Sequence, residues 1–211
     1  LNEDLFNRWA PDYDDQIKEG EENFPFAGYS RIKELIRRLI SAGQEVEVLD
    51  LGVGTGFLTE KLNQDGARIT GVDFSEKMLE KARARMPGAR FFQHDLSRGL
   101  PPELTEERFD YILISYTLHH WEDWKKVELL GQWKNNLKDD GQIIIADIIF
   151  SRRGDWKKAR KKAGDKWDDK EHYLIMEDLA FSLEQCGFSW SFFQVSFCGG
   201  ILQLRPRGEV D

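Results

Sequence analysis

The 211-residue sequence predicts an α/β fold: a doubly wound, mostly parallel, seven-stranded sheet with helices on both faces. Three observations carry this. Short apolar runs recur from residue 45 onward, several of them closing on an aspartate. Stretches of helical periodicity separate them, as parallel strands require for their crossovers. Right-handed crossovers then wind the chain outward on both sides of the first strand. Last, the first run passes into VLDLGVGTGFL, whose glycines permit a tight strand-to-helix path with positive φ.

Residues 1–44 read as an N-terminal helical lid. The stretch up to Tyr29 is acidic and aromatic with weak periodicity, which suggests short helices and loop over the main body. Ile32, Leu35, Ile36, Leu39 and Ile40 then repeat at helical spacing, and Gly43 ends that helix. Residues 45–150 form the alternating core. EVEVLDL (45–51) is strand one, followed by a helix from Phe57 to Gln64 that stops at Gly66. ARITGVD (67–73) is strand two. Ser75 caps the next helix, with Leu79, Ala82 and Met86 on one side, and Pro87-Gly88 closes it. ARFFQHD (89–95) and FDYILIS (109–115) are strands three and four. Asp123–Leu137 is a helix with Trp124, Val127, Leu130 and Trp133 facing inward. A turn at Asp140-Gly141 precedes strand five, 142–149. Residues 151–211 supply two helices, 155–167 and 172–186, with Gly187 as a cap. The strands SFFQVSF and ILQLRP follow, separated by Gly199-Gly200, and add one antiparallel edge strand. The whole reads as a single domain, 1–211.

With 40% hydrophobic and 32% charged residues, the chain has material for one core and is too apolar for disorder. No apolar run approaches the ~18 residues a membrane span needs. LNEDLFNRWA lacks the basic stretch and apolar core of a secretory signal. Cys186 and Cys198, without a CxxC, read as reduced thiols of a cytoplasmic protein. The net charge of −8 argues against nucleic acid as the partner. A small-molecule substrate and a monomer or homodimer are expected.

Ligands of such sheets sit outside the carboxyl ends of the strands, beside strand one. That selects Asp50–Gly56, Asp73, Asp95, Ser115–Trp121 and Asp147. The glycine pattern Asp50-x-Gly52-x-Gly54-x-Gly56 is neither G-x-G-x-x-G nor G-x-x-x-x-G-K. It suits a nucleoside without a pyrophosphate and makes a nicotinamide cofactor a distant reading. Asp73 can accept hydrogen bonds from two ribose hydroxyls, and Asp95 from an adenine amino group. Two acids repel a phosphate but favour a sulfonium and an ammonium group. His119 and His120 are the candidate catalytic pair, since imidazoles titrate near neutrality. A metal site from His119, His120 and Asp123 is set aside, because adjacent histidines rarely reach one ion and nothing nearby completes four ligands. RRGDWKKARKK (152–162) carries seven basic residues and reads as a solvated helix face before it reads as an RNA patch. Tyr116 and Trp121 suit either core or a substrate pocket.

VLDLGVGTGFL, ITGVDFS, FFQHDL, FDYILISYTLHH and LKDDGQIIIAD, in that order over roughly residues 46–150, resemble the motifs of class I S-adenosylmethionine-dependent methyltransferases. The opening F-x-x-W-A-x-x-Y-D, with a later G-Y before a helix, is similar to small methyltransferases of Gram-positive bacteria. The resemblance implies the Rossmann-like methyltransferase fold and S-adenosylmethionine as cofactor. It assigns Asp50 and the backbone at Gly52, Gly54 and Gly56 to the methionine part and Asp73 to the ribose. Asp95 with Leu96 frames the adenine, and Phe74 and Met78 belong to the cofactor site. Ser115 goes beside the methyl donor. Tyr13 and Tyr29, with Trp9, belong to a lid that closes over the cofactor. Methyl transfer to a small molecule is the expected activity. An RNA methyltransferase using 152–162, and a non-catalytic module that only binds the nucleoside, are the alternatives.

Overall fold

The structure, a computed structural model, describes residues 7–8, 10–40 and 45–208. Five strands lie parallel: β1 (Glu47–Leu51), β2 (Arg68–Asp73), β3 (Arg90–Gln93), β4 (Phe109–Ser115) and β5 (Leu137–Phe150). A two-residue strand, β6 (Leu174–Ile175), pairs with the end of β5. The remaining two are β7 (Phe188–Gln194) and β8 (Gly199–Pro206). The eight-stranded sheet runs β3-β2-β1-β4-β5-β8-β7, with β6 off that path. The order reverses between β1 and β4, where Asp50 lies opposite Gly71 on one side and Leu113 on the other. This crevice is where such sheets hold ligands.

Alternating side chains feed two cores, one on each face of the sheet. Val48, Leu113 and Ile144 join one apolar cluster; Leu49, Ile112 and Ile143 join the other. The first is covered by α2 (Tyr29–Leu39), which buries Tyr29, Ile32 and Ile36, and by α6 (Arg153–Ala163) through Ala159. The second is covered by α5 (Asp123–Trp133) and α7 (Met176–Gln185), through Leu129, Leu130, Leu179 and Leu183. The helices α1 (Tyr13–Glu19), α3 (Glu60–Gln64) and α4 (Glu76–Arg85) complete the set used below. Ser75 caps α4 as expected, its hydroxyl accepting from the Met78 N–H at 3.2 Å.

Several expectations need correction. Trp124 is 65% exposed; the inward face of α5 is Lys126, Leu129, Leu130 and Trp133, with Val127 only half-buried. The reason is that Lys126 reaches a polar niche, where Nζ donates to the His172 carbonyl at 2.5 Å and to Asp123 at 2.6 Å. A charged residue thereby takes an inward position, and an aromatic one is left outside. Strand five begins at Leu137, through the expected turn, with a register irregularity opposite Phe109 and Tyr111. Gly199 and Gly200 lie within β8 rather than between the last strands. A Cβ on them would stand 2.9 Å from Ile32 and 2.7 Å from Phe192, so close approach explains these glycines. The antiparallel strand β8 is interior, and β7 is the edge. Strand β6 takes the first residues of the expected 172–186 helix. Gly43 and Trp9 lie outside the described residues.

Candidate active site

The glycine loop leaves β1 and folds over β2. Gly52, Gly54 and Gly56 all have positive φ, at 81°, 53° and 73°. A Cβ on Gly52 would stand 2.1 Å from Thr117 Oγ1, whereas a Cβ on Gly54 would meet no atom within 4 Å. The first glycine therefore serves packing, and the second borders open space. Asp73 ends β2 beneath the loop. Its carboxylate accepts the Gly54 and Ser75 N–H groups, each at 2.9 Å. Burial pushes its pKa up to about 6 against those two donors.

A cavity opens at this point. Tyr13, Gly52, Gly54, Asp73, Phe74, Met78, Asp95, Leu96 and Ser115 line it, all of them expected. His120 lines it too, together with His94, Tyr116, Thr117 and Trp121. Asp95 keeps one oxygen on the Ser97 N–H at 3.0 Å, so it caps a short turn as well as bordering the cavity. Tyr29 borders an adjoining recess with Gly52, Thr55 and Ser115. Gly56 and Asp50 border neither space. Gly56 instead packs against Met86 and Ala82 of the α4 region. Asp50 is buried behind the loop, bonded by the Thr59 hydroxyl, and burial raises its pKa to about 7.

The N-terminal segment is fastened over the loop by polar contacts the sequence did not single out. Asp14 of α1 is buried, accepts from Thr55 Oγ1 at 2.6 Å and pairs with Arg85 of α4. Arg85 also donates to the Thr55 carbonyl at 3.0 Å. Tyr29 stacks between Phe57 and Tyr116, with ring centroids 5.9 and 5.4 Å away. Tyr116 has a φ of 48°, among the described residues the only non-glycine with positive φ. Such strain persists only where surrounding structure enforces it, and it collects at functional sites.

Beyond Tyr116 lies a second cavity of about 250 Å³. Phe24, Phe26, Ile148 and Tyr173 form apolar walls; His119, His120 and Glu171 form a polar end. Tyr13, Tyr116 and His120 belong to both cavities, so the two are neighbours across these three residues. Each histidine carries a carboxylate partner. His119 Nδ1 lies 2.5 Å from Asp147, and His120 Nδ1 lies 2.9 Å from Glu171. Burial disfavours charge on His119, but the Asp147 carboxylate outweighs it and holds the imidazole above its ordinary pKa. Burial and the neighbouring His119 push His120 the other way. Asp147 lies within the buried stretch of β5 and also accepts the Thr117 and Leu118 N–H groups. Glu171 lies 51 positions from His120, too far along the chain for spacing to reveal.

The fit to a nucleoside cofactor is testable on the unmet hydrogen bonds. Among the described residues, four buried side-chain polar atoms lack a partner. Two, His94 Nε2 and the Tyr116 hydroxyl, belong to residues lining the first cavity, and a third is Asp50 Oδ1 behind its loop. Orphaned groups cost about 1–3 kcal/mol each unless a ligand or water meets them. Open space at Gly54 and unspent polar groups around it suit a polar, non-phosphorylated ligand.

A family model described as a methyltransferase domain matches residues 48–141. An uncharacterized methyltransferase of Geobacillus kaustophilus is 35% identical over 202 residues, covering 90% of each chain. The chain belongs to the class I S-adenosylmethionine-dependent methyltransferases. Its fold is shared by the magnesium protoporphyrin IX methyltransferase of Synechocystis, solved with S-adenosylhomocysteine. The TM-score is 0.68 at 20% identity, over 87% of this chain and 85% of that one. The N-methyltransferase NodS of Bradyrhizobium japonicum gives 0.63 at 17% identity, over 89% and 90%. The methyltransferase therefore uses S-adenosylmethionine, and its sheet has the Rossmann-like order expected. Among its described residues no helix is long and apolar enough to cross a membrane.

Proposed function

We propose that this methyltransferase acts on a small-molecule acceptor held in the aromatic cavity, with the cofactor in the glycine-loop cavity. The observation that carries the reading is the shared wall of Tyr13, Tyr116 and His120. In-line transfer needs a nucleophile opposite the sulfur, on the far side of the methyl group. Two adjoining cavities with a thin boundary supply that arrangement. S-adenosylmethionine, when bound, supplies an electrophilic methyl group on a sulfonium. The chain does the rest by orientation and exclusion of water. Asp73 holds hydroxyls, Gly54 allows close approach, and Phe74, Met78, Asp95 and Leu96 surround the nucleoside. Ser115 lies toward the methyl donor. The N-terminal segment shuts out water through Tyr13 and Tyr29. His119 and His120 face the acceptor cavity, where His120 orients the nucleophilic atom. The aromatic walls favour an acceptor with an apolar body of modest size.

The RNA reading has less support. Of the basic residues of 152–162, Arg153, Lys158 and Arg160 are paired with Asp178, Asp155 and Asp169. Such pairing leaves fewer cations for a phosphate backbone. The chain's size and acidity suit one cytoplasmic domain, as monomer or homodimer. The test is incubation with methyl-deuterated S-adenosylmethionine and fractionated cell extract, read by mass spectrometry. Label in small metabolites, lost in His120→Ala while S-adenosylhomocysteine binding persists, supports the proposal. Label confined to RNA or protein refutes it.

A further inference from the structure

We propose that His119, His120 and Glu171 form a binding site for one divalent transition-metal ion of the zinc class, open on one side to the aromatic cavity. Each residue offers one donor atom, and all three atoms lie within 4.8 Å of one another. An ion with bonds of about 2.0–2.2 Å spaces tetrahedral donors roughly 3.3–3.6 Å apart, so small side-chain rotations close the set. The third ligand missing from the sequence argument is Glu171. Asp123, the acid considered from sequence, is outside the cluster and pairs with Lys126 at 2.6 Å.

Three features distinguish this cluster from a chance meeting of polar side chains. Two imidazoles and one carboxylate make the donor set of catalytic zinc, which keeps a fourth position for water or substrate. An outer layer is present as well. Asp147 takes the hydrogen of His119 Nδ1, which orients the ring and leaves Nε2 as the donor. Asp147 is itself held by the Ile148 N–H at 2.7 Å and the Leu118 N–H at 3.0 Å. Charge is the third. Glu171 at the polar end of the cavity and the buried Asp147 behind His119 place two carboxylates at the cluster, with Lys166 the cation that also lines the cavity. Two carboxylates this close together favour a divalent cation between them.

The ion would sit where the acceptor cavity meets the cofactor cavity, since His120 borders both. A metal-bound oxygen, nitrogen or sulfur nucleophile is oriented and loses its proton more readily than a free one. The metal site does not depend on the acceptor reading, because it is defined by its own donors.

The test uses the full chain, stripped with a chelator and titrated with Co²⁺ and then Zn²⁺. The expected result is an intense visible Co²⁺ band that saturates at one equivalent and is displaced by Zn²⁺. Glu171→Gln and His119→Asn should each weaken binding by about tenfold or more. His172→Ala removes an exposed imidazole next to the cluster and should leave the band unchanged. S-adenosylhomocysteine calorimetry on the same samples shows whether each variant keeps its fold and cofactor site. No stoichiometric band, or a band that survives both cluster variants, overturns the metal site while leaving the methyltransferase reading intact. Loss of S-adenosylhomocysteine binding in the unaltered chain would instead strike the cofactor assignment.

Discussion

Asp73→Asn separates the loop-holding bonds of one carboxylate from the ribose-holding role proposed for it. The side chain accepts the Gly54 and Ser75 N–H groups at 2.9 Å each, and it borders the glycine-loop cavity. Asparagine offers one acceptor oxygen instead of two, so one of those N–H groups faces an amide NH₂. An orphaned buried donor costs about 1–3 kcal/mol, which should appear as lost stability in thermal unfolding. Two hydroxyl bonds to a charged acceptor contribute about 1.5–3 kcal/mol each. Losing most of that should weaken S-adenosylhomocysteine binding by roughly a hundredfold to a thousandfold. The bonds to the loop and to the start of α4 are the reason Asp73 should matter to stability as well as to binding. Calorimetry well below the melting temperature, with S-adenosylhomocysteine as ligand, measures the affinity. A dissociation constant within about threefold of the unaltered protein refutes the ribose assignment. An unchanged melting temperature refutes the loop-holding role.

Other outcomes follow from the same geometry. Gly52→Ala should be strongly destabilising, because its Cβ would collide with Thr117. Gly54→Ala should cost stability only about 1–2 kcal/mol for its positive φ yet weaken cofactor binding at least about tenfold. Thermal melts beside calorimetry distinguish the two. Asp14→Ala should cost about 1–2 kcal/mol by removing the acceptor of the Thr55 hydroxyl and one partner of Arg85, which keeps Thr55 and Glu60. It should also speed S-adenosylhomocysteine release in stopped flow, since Asp14 fastens α1 over the loop. Asp50 titrates near 7 when folded and near 3.8 when unfolded, raised by burial and by Asp73, with the Thr59 bond opposing. A raised carboxyl pKa means the folded state holds the proton more tightly. Its contribution therefore costs no stability below about pH 4, and the full cost appears above about pH 7. Asp50→Asn should stabilise the ligand-free protein at pH 8, by about 4 kcal/mol at most, and have little effect near pH 4. Melting curves at the two pH values check the sign.

How much of this was legible in the sequence depends on how far each interaction reaches along the chain. β1, β2 and β4 were readable because each is a local apolar run, and Asp50 and Asp73 at the carboxyl ends of β1 and β2 mark the crevice without any knowledge of pairing. The glycine loop was readable for the same reason, although Gly52, Gly54 and Gly56 turned out to serve three different ends. What stayed hidden was carried by long-range polar contacts. Asp14 meets Arg85 across 71 positions, and His120 meets Glu171 across 51. Neither pair leaves a periodic trace, because a single charged residue on a mostly polar segment looks like solvent-facing surface. Lys126 is the converse case: a lysine at an inward helical position reads as outward until the His172 carbonyl is known to lie beside it. The same logic explains the metal argument. Two adjacent histidines were a weak signal by themselves. The third donor comes from the segment before β6 and the carboxylate behind His119 from β5, which only the folded sheet brings alongside them. Function in this fold is assembled at strand ends from distant residues. The second cavity, lined in part by Tyr13, Gln16, Phe24, Pro25 and Phe26 and by Lys166, Asp168, Glu171 and Tyr173, is accordingly the part that tertiary structure has to supply.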